Sequence, residues 1–375
     1  MTRTVRNLVL ATALVTASGA TFAARQGVEP TLRNPLAIRM VADANSNQPF
    51  LGVVEFKITN DSNEILRVPY WQLPSAATQG NLFKVYRNGE KATYLGALVK
   101  RPAPTAADYV TFQPGETKVF NVDLSSAYDL SRTGEYSVAY SAILQGAVTH
   151  SGRKVTDAMG RMAQLRSAPL KLWVDADNTL SALKSGHVSA KGKPGSGGTG
   201  GTVVDGVTYV GCTSTQISGA GAGVAQARLY TENAKGYLNV GTVGPRYTTW
   251  FGAYTSTRYA TARSHFVAID SAMDQSGGQV KINCGCNQNY YAYVYPTKAY
   301  EIFVCKAFWT APTGGTDSKG GTLVHEMSHF NVTAGTDDHV YGQSGAKSLA
   351  LSDPDSALDN ADSHEYFGEN TPKQN

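Results

Sequence analysis

Two patterns of hydrophobic and polar residues divide the chain. From Pro35 to about Val174, apolar and polar residues alternate in short runs, as in Val54 to Ile58 and Tyr136 to Tyr140. Alternation with a period of two is typical of strands with one buried face. Turn-forming pairs such as Asn88-Gly89 separate these runs. About seven short strands at this spacing predict a β-sandwich, immunoglobulin-like in outline.

The pattern changes from about Val207, where apolar and aromatic residues recur at helical spacing. The chain from there to Asn375 is therefore expected to be a mainly helical α+β domain with a small sheet. The predicted helices cover Gln216 to Leu238, Tyr247 to Met273, a stretch starting at about Ser318, Gly345 to Leu351 and Pro354 to Asn360. The predicted strands cover Val280 to Cys284, Tyr291 to Tyr295 and Ile302 to Phe308.

The first residues have the pattern of a secretory signal. Arg3 and Arg6 precede an apolar run, and small residues follow near Ala20 to Ala24. The alternative, a membrane anchor, needs a longer apolar span. We therefore expect residues 1–24 to be a cleaved signal and the protein to be secreted without an anchor.

A segment rich in Gly and Ser, residues 185–206, connects the two patterned regions. Such a composition is typical of mobile linkers that are open to proteolysis. The position of this linker suggests that the β-sandwich, residues 25–184, is a propeptide of the domain at 207–375. A permanent accessory domain on a flexible tether is the alternative.

Composition excludes some classes of function. Of the 375 residues 17% are charged, the formal net charge is +4, and the basic residues are scattered, which is not the profile of a nucleic-acid-binding protein. The four cysteines, Cys212, Cys284, Cys286 and Cys305, are an even number in a chain expected to be exported, so they predict two disulfides with three possible connectivities.

The candidate chemistry lies between Thr322 and Gly342. On a helix, His325 and His329 project from one face and can share a zinc ion, and Glu326 lies beside them. A carboxylate next to a zinc-activated water is the arrangement of a metalloprotease. Catalytic zinc has three protein ligands, so a third must follow.

The residues after His329 do not match either of two common arrangements that supply the third zinc ligand. A metzincin continues with Gly and His at fixed offsets, and that pattern is absent. A thermolysin-like enzyme supplies a Glu from the next helix, and this option is weakened because no Glu lies between Glu326 and Glu365. A loop carrying Asp337, Asp338 and His339 follows instead, and each of these could be the third ligand.

This stretch resembles the aspzincin family, whose signature is HExxH followed by GTxDxxYG, and every fixed position is matched. The resemblance implies a zincin-like layout for the mainly helical α+β domain. The resemblance implies one Zn²⁺ per catalytic domain, held by His325, His329 and Asp338. It also implies Glu326 as the general base and Tyr341 as the hydroxyl that stabilises the oxyanion.

Nearly all of the segment from Thr208 to Asn375 is similar to peptidyl-Lys metalloendopeptidases, a branch of that family that cleaves on the amino side of lysine. The shared stretches include GPRYTTWFG, YAYVYP, AFWTAPTGGTDS and NADSHEYFGEN. The similarity implies that Asp362 and Glu365, three residues apart on one helix face, line a pocket for the lysine ammonium. It also implies disulfides joining Cys212 with Cys284 and Cys286 with Cys305.

We therefore expect a secreted, monomeric zinc endopeptidase precursor that hydrolyses Xaa-Lys bonds in proteins and peptides. Its propeptide is expected to act as an intramolecular inhibitor or chaperone. Lys184, Lys191 and Lys193 are candidate self-processing sites, and Ala190-Lys191 is the first choice. A deuterolysin-like protease of broad specificity stays open, as does an exported zinc-binding or adhesive protein without catalysis.

Overall fold

Strands make up most of the first half of the chain. The computed structural model describes residues 35–42, 52–176 and 200–375, so the expected signal and processing residues, Ala190 and Lys191 included, lie outside the described residues. The strands are β1 (Leu36–Ala42), β2 (Val53–Asn60), β3 (Leu66–Pro69), β4 (Phe83–Arg87), β5 (Glu90–Lys91), β6 (Leu98–Lys100), β7 (Tyr109–Phe112), β8 (Thr117–Asp123), β9 (Gly134–Ile143), β10 (Val148–Thr149), β11 (Gln164–Arg166) and β12 (Leu170–Val174). Short 3-10 helices cover Tyr70–Gln72, Pro74–Gln79, Ala106–Asp108 and Leu124–Ser126.

These strands form three small antiparallel sheets around one apolar core. One sheet has the order β1-β2-β8, one β10-β3-β7 and one β11-β9-β4-β5, with β12 added to β9. Val54, Phe56 and Ile58 of β2 are fully buried while the residues between them are not, as period-two alternation predicts. The first half is thus β-rich, and its immunoglobulin-like topology stays a prediction.

Helices dominate the second half, as predicted. Its strands are β13 (Gly201–Val204), β14 (Val207–Val210), β15 (Lys281–Asn283), β16 (Ala292–Val294) and β17 (Glu301–Val304). Its helices are α1 (Ser214–Val240), α2 (Pro245–Phe251), α3 (Ser256–Met273), α4 (Lys306–Thr310), α5 (Lys319–Ser328), α6 (Gly342–Ser352), α7 (Pro354–Leu358) and α8 (Ala361–Glu369). Among these described helices, none combines the length and the apolar character needed to cross a lipid bilayer.

Three predicted elements differ from the structure. The helix predicted from Tyr247 to Met273 is wrong, because Gly252 adopts a φ of +76° and separates α2 from α3. The strand predicted from Ile302 to Phe308 is wrong in its second part, which is helix α4. The end of the predicted linker is the strand β13, which pairs with β14.

One six-stranded sheet joins the two halves of the chain. Its order is β13-β14-β15-β17-β16-β6, so the last strand comes from the first half. β6 pairs antiparallel with β16, with Lys100 opposite Ala292 and Leu98 opposite Val294. The edge strand β16 of the second half is therefore covered by a segment far away in sequence.

The start of helix α5 is held by the end of helix α8. Ser318 caps α5 by accepting a hydrogen bond from the Gly321 backbone N–H, at 2.9 Å. The buried Glu369 carboxylate accepts hydrogen bonds from the Ser318 N–H and hydroxyl. A Cβ on Gly321 would lie 2.0 Å from Glu369 Oε1, so a larger residue there would displace the Glu369 carboxylate. These contacts fix α5 and α8 relative to each other.

Candidate active site

The side chains of His325, His329 and Asp338 meet at one buried point. His325 lies in the last turn of α5, His329 follows its end, and Asp338 lies in the loop before α6. The two histidine Nε2 atoms are 3.1 Å apart. Asp338 Oδ1 is 3.2 Å from the His325 Nε2 and 3.5 Å from the His329 Nε2.

This triangle fits a tetrahedral zinc ion. Ligand atoms bound to zinc at about 2.0–2.1 Å lie roughly 3.3 Å apart in a tetrahedron, close to the three separations observed. Asp338 Oδ1 is buried and accepts no hydrogen bond from the described residues. Burial acts to raise the pKa of Asp338, but the two adjacent histidines bring this pKa well below its usual range. Two imidazoles and a carboxylate are donors that zinc prefers.

The outer nitrogens of the two histidines each lie beside an oxygen atom, so that both Nε2 atoms face the candidate metal position. His329 Nδ1 donates to the Thr336 carbonyl at 2.8 Å; because a carbonyl only accepts, Nδ1 carries the proton. His325 Nδ1 lies 2.7 Å from Asp362 Oδ1, outside the directional range of a hydrogen bond. Carbonyl and carboxylate partners of this kind orient metal-binding imidazoles.

Glu326 lies beside the two histidines in sequence and is fully buried. Neither of its carboxylate oxygens has a hydrogen-bond partner among the described residues. Burial raises the pKa of Glu326 to about 7, against the lowering effect of His325 and His329. A carboxylate of this pKa can both accept and return a proton near neutral pH.

Asp362 and Glu365 of α8 enclose the ammonium of Lys100, the last residue of β6. Lys100 Nζ donates to Asp362 Oδ1 at 3.1 Å and also to Glu365 Oε2. The three side chains are 2%, 1% and 0% exposed. The Tyr291 ring also faces Nζ, with 5.4 Å between Nζ and the ring centroid. Burial acts to raise the pKa of Asp362, but Lys100 brings it down to about 2.

The backbone next to Lys100 passes the candidate metal ligands and Tyr341. The Tyr341 hydroxyl donates to the Val99 carbonyl at 2.9 Å, and the Val99 N–H donates to Asp338 Oδ2 at 3.0 Å. On the other side, the Tyr291 N–H donates to the Lys100 carbonyl at 3.0 Å. The peptide bond from Val99 to Lys100 thus lies between the candidate metal ligands and the two carboxylates of Asp362 and Glu365.

The other two candidates for third ligand face away from the histidines. The Asp337 carboxylate accepts from the Asn81 side-chain amide, with both oxygens at 2.9 Å. His339 Nε2 lies 2.9 Å from an Asp359 carboxylate oxygen. The structure therefore assembles Asp338, and neither Asp337 nor His339, with His325 and His329.

Two disulfides brace the sheet beside this site. Cys212 is joined to Cys284, and Cys286 to Cys305, the pairing that the family resemblance implies. The second disulfide connects the segment before β16 to the residue at the start of α4. It thereby holds the edge strand on which β6 lies.

Sequence reasoning missed Lys100. The signal that could have found it is the predicted pocket of Asp362 and Glu365, because two carboxylates expected to bind a lysine ammonium can also bind a lysine of the same chain. Leu98 and Val99 precede it in an apolar run, which is unusual for a solvated lysine. Nothing local distinguishes it further among 33 Lys and Arg residues.

Comparison with known proteins agrees with this geometry. A family model described as lysine-specific metallo-endopeptidase matches residues 237–369. The extracellular protease of Aeromonas hydrophila is 41% identical over 325 residues, 86% of this chain and 89% of the relative. The peptidyl-Lys metalloendopeptidase of Grifola frondosa is 34% identical over 84% of this chain and 87% of the relative. That of Pleurotus ostreatus is 51% identical over 167 residues, 44% of this chain and 98% of the relative.

These matches identify the class of protein: the chain is a metalloendopeptidase. More narrowly, it belongs to the aspzincin family of zinc-dependent peptidases.

Proposed function

We propose that this chain is the inactive precursor of a secreted zinc endopeptidase that cleaves on the amino side of lysine. One observation carries the proposal: the chain's own Lys100 fills the pocket of Asp362 and Glu365 while the preceding carbonyl accepts from Tyr341. A substrate bound in the same way would have its Xaa-Lys bond where the bond from Val99 to Lys100 lies.

The reaction follows from the positions of the side chains. His325, His329 and Asp338 would hold Zn²⁺, which when bound supplies an activated water molecule and polarises the carbonyl. Glu326 accepts the proton of the attacking water and returns it to the leaving lysine amine. Tyr341 donates a hydrogen bond to the carbonyl oxygen as negative charge develops on it.

Lysine selectivity follows from the burial of the pocket. Two carboxylates removed from water need a cation, and a substrate without one would leave them unpaired. A site built to bind a charged group by ion pairs and hydrogen bonds rejects analogues that lack the group far more strongly than an apolar pocket does. Asp362 and Glu365 are therefore the residues that select lysine.

The first half of the chain inhibits the enzyme by occupying its cleft. β6 lies on the edge strand β16, where a substrate backbone would add to the sheet. The relative from Pleurotus ostreatus is matched almost completely by 44% of this chain, which supports a separable first half. Removing the prodomain, here residues 25–184, opens the cleft.

Processing is proposed to be self-catalysed before a lysine of the linker, first at Ala190-Lys191. The name of the Aeromonas hydrophila relative, extracellular protease, supports secretion. The N-terminal sequence of the mature protein tests the site. Identical processing of a Glu326→Gln precursor, made in a host without other proteases, would exclude self-processing.

The activity itself is tested by mapping the cuts that mature enzyme makes in an unfolded protein. We expect cuts clustered before lysine, their loss with a chelator, and their recovery with Zn²⁺. Glu326→Gln, released from its precursor by an unrelated added protease, should keep zinc and lose about 10²–10⁴-fold in rate. Glu232→Gln, the same change on the exposed face of α1, is the control and should stay active. Scattered cuts would instead indicate a protease of broad specificity.

A further inference from the structure

Arg101, the residue after Lys100, is held against aromatic rings rather than by a carboxylate. Its guanidinium carbon lies 4.7 Å from the centroid of the Tyr290 ring, 5.1 Å from that of Trp71 and 5.5 Å from that of Tyr70. Its Nη1 donates to the Tyr70 hydroxyl at 3.1 Å. Arg101 is 4% exposed, and no carboxylate in the described part of the chain forms an ion pair with it.

The nearest of the three rings, that of Tyr290, belongs to the catalytic half. Its backbone carbonyl accepts from the Ala307 N–H at 2.9 Å. The disulfide between Cys286 and Cys305 also ties this segment to the start of α4. Because these two contacts lie within the second half of the chain, the Tyr290 backbone keeps its place beside the cleft when the first half departs, although the Tyr290 hydroxyl loses its contacts with Gln79 and Tyr70.

We propose that Tyr290 forms a subsite for the residue after the scissile lysine, and that this subsite favours arginine. The inference rests on the proposed function, since it takes β6 as a guide to how substrate binds. An arginine guanidinium at this position would lie over the face of the Tyr290 ring, and a planar cation over an aromatic ring is attracted by the ring's quadrupole. The enzyme would thus cleave fastest before Lys-Arg pairs.

The experiment compares peptides that differ only after the lysine, using mature zinc-loaded enzyme. One peptide carries arginine there, a second citrulline, which has nearly the same shape without the charge. We expect kcat/KM to be about two- to fivefold higher for arginine, the effect of a partly exposed cation over a ring. Tyr290→Ala should bring the arginine-to-citrulline ratio to one, and Tyr290→Phe should keep most of it.

Tyr254→Ala serves as the matched control, because Tyr254 is half exposed and packs against Tyr247 and Tyr259. The arginine-to-citrulline ratio of kcat/KM in this variant should stay as in the wild type. Equal kcat/KM for arginine and citrulline in the wild type, or an unchanged ratio in Tyr290→Ala, would overturn the inference. A third peptide, with norleucine in place of the lysine, separates the two proposals. Its rapid cleavage would refute lysine specificity itself, whatever the ratio.

Discussion

The ammonium of Lys100 is the most informative single charge to remove. The substitution Lys100→Met keeps the length of the side chain and removes its charge. It is made in a full-length Glu326→Gln chain, which is expected not to process itself. At 3.1 Å from Asp362, the attraction of one pair is about 5 kcal/mol at an effective dielectric constant of about 20. Asp362 and Glu365 would remain buried without the Lys100 ammonium, with the His325 imidazole as a remaining neighbour, and breaking such a buried pair costs about 3–5 kcal/mol.

The assay is urea unfolding at pH 7, followed by circular dichroism. We expect Lys100→Met to lower the free energy of unfolding by about 3–5 kcal/mol. Lys171→Met is the control: its pair with Glu135 has a similar length, 2.9 Å, but the side chains are 74% and 54% exposed. Exposed pairs contribute about 0–1 kcal/mol.

A second step separates charge from shape. Adding Asp362→Asn and Glu365→Gln to Lys100→Met removes the stranded charges, so part of the lost stability should return, and the three changes should not be additive. Losses of the same small size in Lys100→Met and Lys171→Met would refute the reasoning, since Lys100 would then behave as a solvated surface charge.

Three further predictions concern the mature site and its surroundings. Tyr341→Phe should lower kcat about 10²–10³-fold, with little change in KM, in peptide hydrolysis, because it removes a hydrogen bond that strengthens in the transition state; an unchanged kcat would exclude this role. Asp362→Asn together with Glu365→Gln should reduce the preference for lysine over norleucine at least tenfold, measured as a ratio of kcat/KM values, and an unaltered ratio would place selectivity elsewhere. Burial, assisted by His265, lowers the pKa of His364 to about 3, so its stabilising effect is full above the unfolded pKa of about 6.5 and is lost as pH falls below it. From pH 6.5 to 4.5, His364 should therefore lower the unfolding free energy of the full-length Glu326→Gln chain by about 2–3 kcal/mol. In urea unfolding, adding His364→Gln should make the change of unfolding free energy with pH smaller, by the equivalent of about one proton. The same pH dependence with and without His364→Gln would contradict the burial argument.

Local spacing explains what could be predicted of the site. His325, Glu326 and His329 were predictable because a helix of 3.6 residues per turn places i and i+4 side by side. Asp338 was one of three candidates for the third zinc ligand until the family resemblance was considered. Residues in a loop have no regular period that would indicate where each side chain points. The structure separates the three by where the loop points them, towards the histidines or towards Asn81 and Asp359.

Long-range pairing explains what could not be predicted. The contact of Lys100 with Asp362 spans 262 residues, and no local pattern specifies which strand will lie on β16. The fully buried stretch Leu98–Lys100 also lacks the polar-apolar alternation that marks other strands of the first half. The break at Gly252 was missed for a similar reason, because the aromatic spacing continues across it while the close approach of the Ala350 carbonyl is a tertiary contact.

The six-stranded sheet has a consequence for the proposed maturation. If the first half is removed as proposed, β16 becomes an outer strand whose main-chain donors and acceptors on that side face water. An exposed edge strand of this kind can pair with any extended polypeptide. A bound substrate would then occupy the position that β6 had in the sheet. Each turnover would then require the products to dissociate from β16, and the same exposed edge would also bind unrelated unfolded chains.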